Sequence, residues 1–215
     1  MTSFLRRWRG GGAEPARRWV VLDVESSGLD PRNDRLLAVA AVALRAASGR
    51  LSLCPADSFE AVLGQPVVDA GPDRANILVH GIGLQAQRLG QPPGEVLAAF
   101  RAYLADAPLV AFHAAFDRAL LARPWQHLLG QPLRNPWLDL ADLAPALCPG
   151  VKAHALDDWL AHFGIEVAVR HQAAADSWAT AELLQRLWPL AQAQGCGPGF
   201  TDLARVAASR RWLAG

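Results

Sequence analysis

The sequence predicts one α/β domain with a mixed β-sheet, and three observations lead there. Segments of strand character stand close together at 19–25, 35–45 and 49–54, and the Ala-Ala-Ser-Gly stretch at 46–49 suits a tight turn between the last two. After them, helical patterns alternate with a short apolar strand, the signature of an α/β sheet. No internal repeat and no interior linker divides the 215 residues, a length that one domain accommodates.

Each element has its own local reason. "WVVLDVE" (19–25) is β-branched and apolar, as a core strand requires, and "RLLAVAAVALR" (35–45) is apolar throughout. A Pro/Gly-rich stretch near 64–72 precedes a helical region, "RANILVHGI". "GEVLAAFRAYLADA" carries Leu97, Phe100 and Leu104 at helical spacing. "PLVAFHAAFDRALL" reads as a short strand running into a helix. "HALDDWLAHFG" places Leu156, Trp159, Leu160 and Phe163 on one face and closes on Gly164. A long helix spans 173–194, and "FTDLARVAASRRWLAG" reads as a short C-terminal helix, N-capped by Thr201, that docks on its own domain.

The limits of the domain follow. Residues 1–18 are basic and glycine-rich without period and read as a solvated tail. A sharper alternative has Arg6, Arg7, Arg9, Arg17 and Arg18, with Trp8 and Trp19 between them, touching a phosphate backbone or a partner protein. Residues 19–194 form the core domain and 195–215 a C-terminal extension.

Composition excludes several classes. Hydrophobic residues make up 52% of the chain, enough for a full core. A net charge of +1 gives no global field, so affinity for a polyanion must come from local patches. Cys54, Cys148 and Cys196 are odd in number and form no CxxC pair, which argues against zinc and against a disulfide framework, and for a reducing cytoplasm. No apolar run approaches the roughly 18 residues of a membrane span, and the N-terminus lacks a signal-peptide pattern.

The chemistry is carried by acids in apolar settings. Residues two apart on a strand face the same side, so Asp23 and Glu25 point together while Leu22 and Val24 face away. Two carboxylates at about 4 Å repel by about 4 kcal/mol at an effective dielectric near 20. A divalent cation between them turns that cost into binding. Asp117 follows the strand Leu109–Phe112 at a helix start, bracketed by Phe112 and Phe116. Asp176 shares a helix face with Thr180, Leu183 and Leu187, an inward position that requires a partner or a metal. His171 would point about 140° from Asp176 on a continuous helix. The two converge only if His171 lies in the preceding loop, where it could take a proton near neutral pH. Among the other histidines, His113 reads as structural, and His127, His154 and His162 have no carboxylate constellation. The tryptophans read as core rather than as base-stacking platforms.

Taken together, these segments resemble the DEDDh family of 3′–5′ exonucleases, nearest the proofreading epsilon-subunit type of bacterial DNA polymerase III. Asp23-Val24-Glu25-Ser26-Ser27-Gly28-Leu29, His113 to Asp117 and His171 to Asp176 stand for its three motifs. "VHGI" (Val79 to Ile82) matches a segment at the substrate 3′ end, and "HALDDWLAHFGI" matches the stretch before the third motif. Each is unspecific alone; five in order over about residues 19–190 are not. Two departures stand out. Ala114 replaces the usual Asn after His113, which removes a supporting hydrogen bond near Asp117, and "LLAVAAV" lacks a Glu common in that strand.

The resemblance implies a ribonuclease-H-like fold, a five-stranded mixed sheet whose first three strands are antiparallel, flanked by helices. It makes residues 19–194 the exonuclease domain. It further implies two divalent ions, Mg²⁺ or Mn²⁺. Asp23 would bridge both, Glu25 and Asp176 would hold the ion that activates water, Asp117 would help hold the second, and His171 would be the general base. Ser26, Ser27, Gly28, Leu29, His80, Gly81, Ile82 and Phe116 would bind substrate, with His80 shaping the site rather than ligating metal. Asp139 matches a recurrent acid, read as supporting or structural. The implied substrate is a nucleic acid with a free 3′ end, DNA in preference to RNA, single-stranded or frayed, cut to nucleoside 5′-monophosphates. A DNA polymerase is a candidate partner, though no clamp-binding peptide is evident. An RNA 3′-exonuclease or oligoribonuclease uses the same chemistry, and a catalytically silent binding module is the alternative from another class.

Overall fold

The computed structural model describes residues 17–213 apart from 48, 66–73, 168 and 198. Five strands form one sheet: β1 (Arg17–Ser26), β2 (Leu36–Ala47), β3 (Arg50–Val62), β4 (Leu109–Ala111) and β5 (Trp137–Asp139), in the order β3-β2-β1-β4-β5. β1, β2 and β3 pair antiparallel, and β4 and β5 run parallel to β1. This is the α/β mixed sheet that the sequence implies.

The helices are α1 (Arg74–His80), α2 (Leu84–Leu89), α3 (Pro93–Leu104), α4 (Ala114–Leu129), α5 (Leu140–Leu147), α6 (Leu156–Phe163), α7 (Ala173–Ala193) and α8 (Phe200–Leu213). They cover both faces of the sheet, which is why β2 reads as a continuous apolar run rather than an alternating one. On one face Trp19 and Val21 of β1 pack with Leu143 of α5, Leu183 and Leu187 of α7 and Leu203 of α8. On the other, Val20, Leu22 and Val24 pack with Leu97 and Phe100 of α3 and Leu120 and Leu121 of α4. The period of two along β1 therefore puts Asp23 and Glu25 in the Trp19–Val21 row, on the α7 side.

Several boundaries differ from the sequence reading. β3 continues to Val62 instead of stopping at 54, because Pro55-Ala56-Asp57 is a bulge and not an end: Val42 faces Ser58 while Ala43 faces Cys54. Arg17 and Arg18 open β1 rather than close the tail. Arg18 donates to Asp57 at 2.9 and 2.8 Å and lies 4.5 Å from the Tyr103 ring centroid, and Trp19 is buried between Trp188 and Phe200. Arg18 and Trp19 thus hold the protein's own fold together and do not present themselves to a phosphate backbone; Arg6, Arg7, Trp8 and Arg9 lie outside the described residues. α8 begins at Phe200, and its first turn is held by Asp202, whose carboxylate accepts the Gly199 N–H, rather than by Thr201. Phe200, Leu203 and Ala207 of this helix lie in the main core. Among the described residues, no helix is long and apolar enough to cross a membrane.

Candidate active site

The acids of β1 stand at its C-terminal end, where a register shift falls between Glu25 and Ser26 and re-aims the chain. Asp23 and Glu25 are half-buried. The loop beyond is tied to itself. Ser26 Oγ donates to the Gly28 carbonyl, Ser27 Oγ donates to Asp34 Oδ1 at 2.8 Å, and the Asp30 N–H donates to Asp34 Oδ2 at 2.8 Å. Leu29 is left 91% exposed at the tip.

Asp117 sits in the first turn of α4 and is buried. The chain turns from β4 into α4 through His113, whose φ of 60° is left-handed. That corner is held by Asp139, whose Oδ1 accepts N–H groups from His113 and from Ala141, both at 2.9 Å, so one carboxylate fixes the starts of both α4 and α5. Phe116 is half-buried against the α3–α4 core.

Asp176 is buried in the first turn of α7, and His171 lies in the loop before it, also left-handed at φ 60°. The loop position is the one condition under which the two could converge. The His171 N–H donates to Asp176 Oδ2 at 3.1 Å, and the His171 side chain is exposed. Beside it Arg170 pairs with both Asp176 and Asp157.

The electrostatics tie these groups together. Burial, and then the charges of Asp117 and Glu25, push Asp23 well above the ordinary carboxylate range, against the pull of Arg170. Burial pushes Glu25 up to about 7, again opposed by Arg170. Asp117 is pushed up to about 8 by burial, with Asp139 and Glu25 adding to it and backbone hydrogen bonds at Asp117 and Val24 opposing. Asp23, Glu25 and Asp117 are therefore close enough to repel one another, and Arg170 joins them to Asp176. Among the described residues no three His, Cys, Asp or Glu side chains form a cluster that would enclose an ion, and the Asp176 carboxylate is paired with Arg170. The donor chemistry nonetheless fits a hard divalent cation: carboxylate oxygens at one end of the sheet, with neither sulfur nor imidazole among them.

The Val79–Ile82 segment is built separately. His80 is the last residue of α1. It is 4% exposed, and its Nδ1 accepts the Ile82 N–H at 2.9 Å across Gly81, whose φ is 72°. Burial alone lowers its proton affinity; no carboxylate of the site contributes. Its Nε2 has no hydrogen-bond partner among the described residues.

Sequence reasoning missed three residues. Arg170 could have been found by asking which cation sits beside an inward acid; it directly precedes His171. Asp34 and Arg123, which hold the Ser27–Leu29 loop, carry no local signal, since Arg123 lies 89 positions beyond Asp34.

A five-stranded mixed sheet with acids gathered at the C-terminal end of its central strand and at the first turns of two flanking helices defines the class, a ribonuclease-H-like exonuclease domain. The exonuclease family model (RNase T) matches residues 20–184, and the chain belongs to that family. It is 33% identical over 171 residues to the DNA polymerase III PolC-type protein of Halalkalibacterium halodurans, covering 79% of this chain and 11% of that one. It is 32% identical over 182 residues to a DNA polymerase III subunit epsilon-like protein of Rhodobacter capsulatus, covering 82% of this chain and 24% of that one. The chain thus spans a tenth to a quarter of the length of these relatives. E. coli exonuclease I in complex with a dT13 oligonucleotide superposes with a TM-score of 0.69 at 22% identity, over 83% of this chain and 42% of that one, a likeness of fold.

Proposed function

We propose that this protein is a metal-dependent 3′–5′ exonuclease that shortens DNA from its 3′ end and releases nucleoside 5′-monophosphates. The observation that carries the reading is the placement of Asp23 and Glu25 on one face of β1 near its C-terminal end, with Asp117 in the first turn of α4 and Asp176 in the first turn of α7. Stability alone would not favour neighbouring acids withdrawn from water, two half-buried and one buried, whereas cation binding does. Asp23, Glu25, Asp117 and Asp176 would hold two divalent ions, Mg²⁺ or Mn²⁺. Such ions, when bound, lower the pKa of water and stabilise the charge of a phosphoryl displacement.

The remaining steps belong to the chain's own side chains. His171, exposed at the mouth of the site and fixed through its N–H to Asp176, takes the proton of the attacking water. The Ser26–Leu29 loop and the His80–Ile82 segment receive the terminal nucleotide, with Leu29 offering an uncovered apolar tip to a base and Phe116 flanking Asp117. A sequence that keeps all four acids and the histidine argues for catalysis over a silent binding role.

The test is purified protein with Mg²⁺ or Mn²⁺ and end-labelled single-stranded DNA, duplex DNA and RNA. Stepwise 3′ shortening of DNA, abolished in Asp23→Asn, is expected. Undiminished turnover by that variant would sink the reading, and faster turnover of RNA would reassign the substrate.

A further inference from the structure

We propose that Arg170 is a substrate-binding residue of this site: its guanidinium neutralises Asp176 while no metal is bound, and passes to the phosphate of the terminal nucleotide once metal takes the carboxylates. This rests on the exonuclease reading above and deepens it.

Three observations lead to it. Arg170 is ion-paired with Asp176 in the first turn of α7, and its charge also pulls on Asp23 and Glu25. It holds two carboxylates in very different surroundings: the Asp176 side chain is 9% exposed and that of Asp157, in the first turn of α6, is 59% exposed. It directly precedes His171, the proposed base, in the loop before α7.

The charge count requires a further step. Two divalent ions cancel the four carboxylates Asp23, Glu25, Asp117 and Asp176, and leave a phosphodiester and the charge that develops on it unmet. Arg170 cannot shed its proton to make room for metal, because a guanidinium stays charged at any working pH. Displaced from Asp176 it must find another anion. Asp157 keeps it tethered nearby, although a pair that exposed holds it only weakly. The arriving phosphate offers what Asp157 cannot, a less solvated anion and a geometry that a planar fork meets with two parallel hydrogen bonds. The same residue therefore competes with metal in the empty site and supports substrate in the loaded one.

Arg170→Gln and Arg170→Lys separate these roles, read by calorimetric titration of the nucleic-acid-free chain with Mn²⁺ and by binding of thymidine 5′-monophosphate in Ca²⁺. Circular dichroism checks the fold of each variant. Arg170→Gln should bind Mn²⁺ about tenfold more tightly and the monophosphate about tenfold more weakly, the scale of one charge-assisted hydrogen bond. Arg170→Lys keeps the charge and loses the fork, so its Mn²⁺ affinity should stay near wild type while the monophosphate weakens. Unchanged or weaker Mn²⁺ binding by Arg170→Gln, or unchanged monophosphate binding by either variant, overturns the proposal. Absence of Mn²⁺ uptake by the wild-type protein would instead overturn the metal reading on which it rests.

Discussion

Arg123 on α4 donates from Nη2 to the backbone carbonyl of Asp34 at 2.8 Å, and from Nη1 to that of Arg32. The helix that carries Asp117 thereby also holds the loop that leaves Glu25. Inside the loop the Asp34 carboxylate takes Ser27 Oγ and the Asp30 N–H, and the Arg35 N–H donates back to Ser27 Oγ at 2.9 Å. Loop and acid are fixed to one another through a single helix. Arg123→Met removes both outside bonds and leaves the helix intact. It should raise KM for single-stranded DNA about fivefold, roughly 1 kcal/mol, with kcat within about twofold of wild type. Hydrogen exchange should quicken at residues 27–34. A fall in kcat with KM unchanged would show that the loop does not hold substrate.

Gly28 tests the same loop from within. A Cβ there would stand 2.5 Å from Asp34 Oδ2 and 2.7 Å from Oδ1, closer than any relaxed contact. Gly28→Ala must therefore move the Asp34 carboxylate and break its bond to Ser27. Its effect on KM should match that of Asp34→Ala, and the double variant should be no worse than either, because both remove one interaction. Additive losses would show that Gly28 meets substrate directly. Melting temperature should change little, since the loop tip is exposed at Leu29, Asp30, Arg32 and Asn33.

The raised carboxylates fix the pH dependence of the metal-free protein. Glu25 at about 7 and Asp117 at about 8 bind protons in the folded chain that the unfolded chain has already released near pH 4 to 5. Stability then falls as pH rises, since the unfolded state binds fewer protons. The full contribution is present below the ordinary carboxylate range and is lost as pH climbs through 7 to 8. In EDTA the melting temperature should decline from pH 5 to pH 8. Saturating Mn²⁺ should reverse the trend, with the metal-induced gain growing over the same interval. A flat profile in EDTA would mean that burial in the folded chain does not hold these acids above their ordinary range.

What the sequence disclosed, and what it hid, follows from how far each signal reaches. The acids were legible because each sits against a local apolar pattern: Asp23 and Glu25 in the β1 run, Asp176 on the inward face of α7. The pairing of β2 with β3 was legible in a turn signal at 46–49 and β4 in its short apolar run, while β5, three residues long, offers too short a run for periodicity to register. β3 was cut at Cys54 because a bulge with proline looks like an end. α2, six residues long, is too short for a helical repeat to stand out, and α5 carries Pro145 inside it, which reads as a break. Arg123 and Asp34 meet only through the tertiary fold, and their pairing has no sequence spacing to read.

His171 joins chemistry to backbone strain, and the two can be read apart. A histidine at φ 60° occupies a region that costs an L-residue with a Cβ about 1 kcal/mol and costs glycine nothing. At an ordinary position replacing alanine with glycine lowers stability; here the sign should invert. His171→Gly and His171→Ala both remove the imidazole, so kcat should fall about 10² to 10⁴-fold in each, the usual worth of a positioned base. The ascending limb of the pH–rate profile should vanish in both. Mn²⁺ affinity should persist, since the lost group is the base and not one of the carboxylates. Their melting temperatures should differ, His171→Gly being the more stable of the two. If instead the rates stay near wild type and the pH limb survives, proton removal lies elsewhere and the left-handed turn serves only to aim the His171 N–H at Asp176.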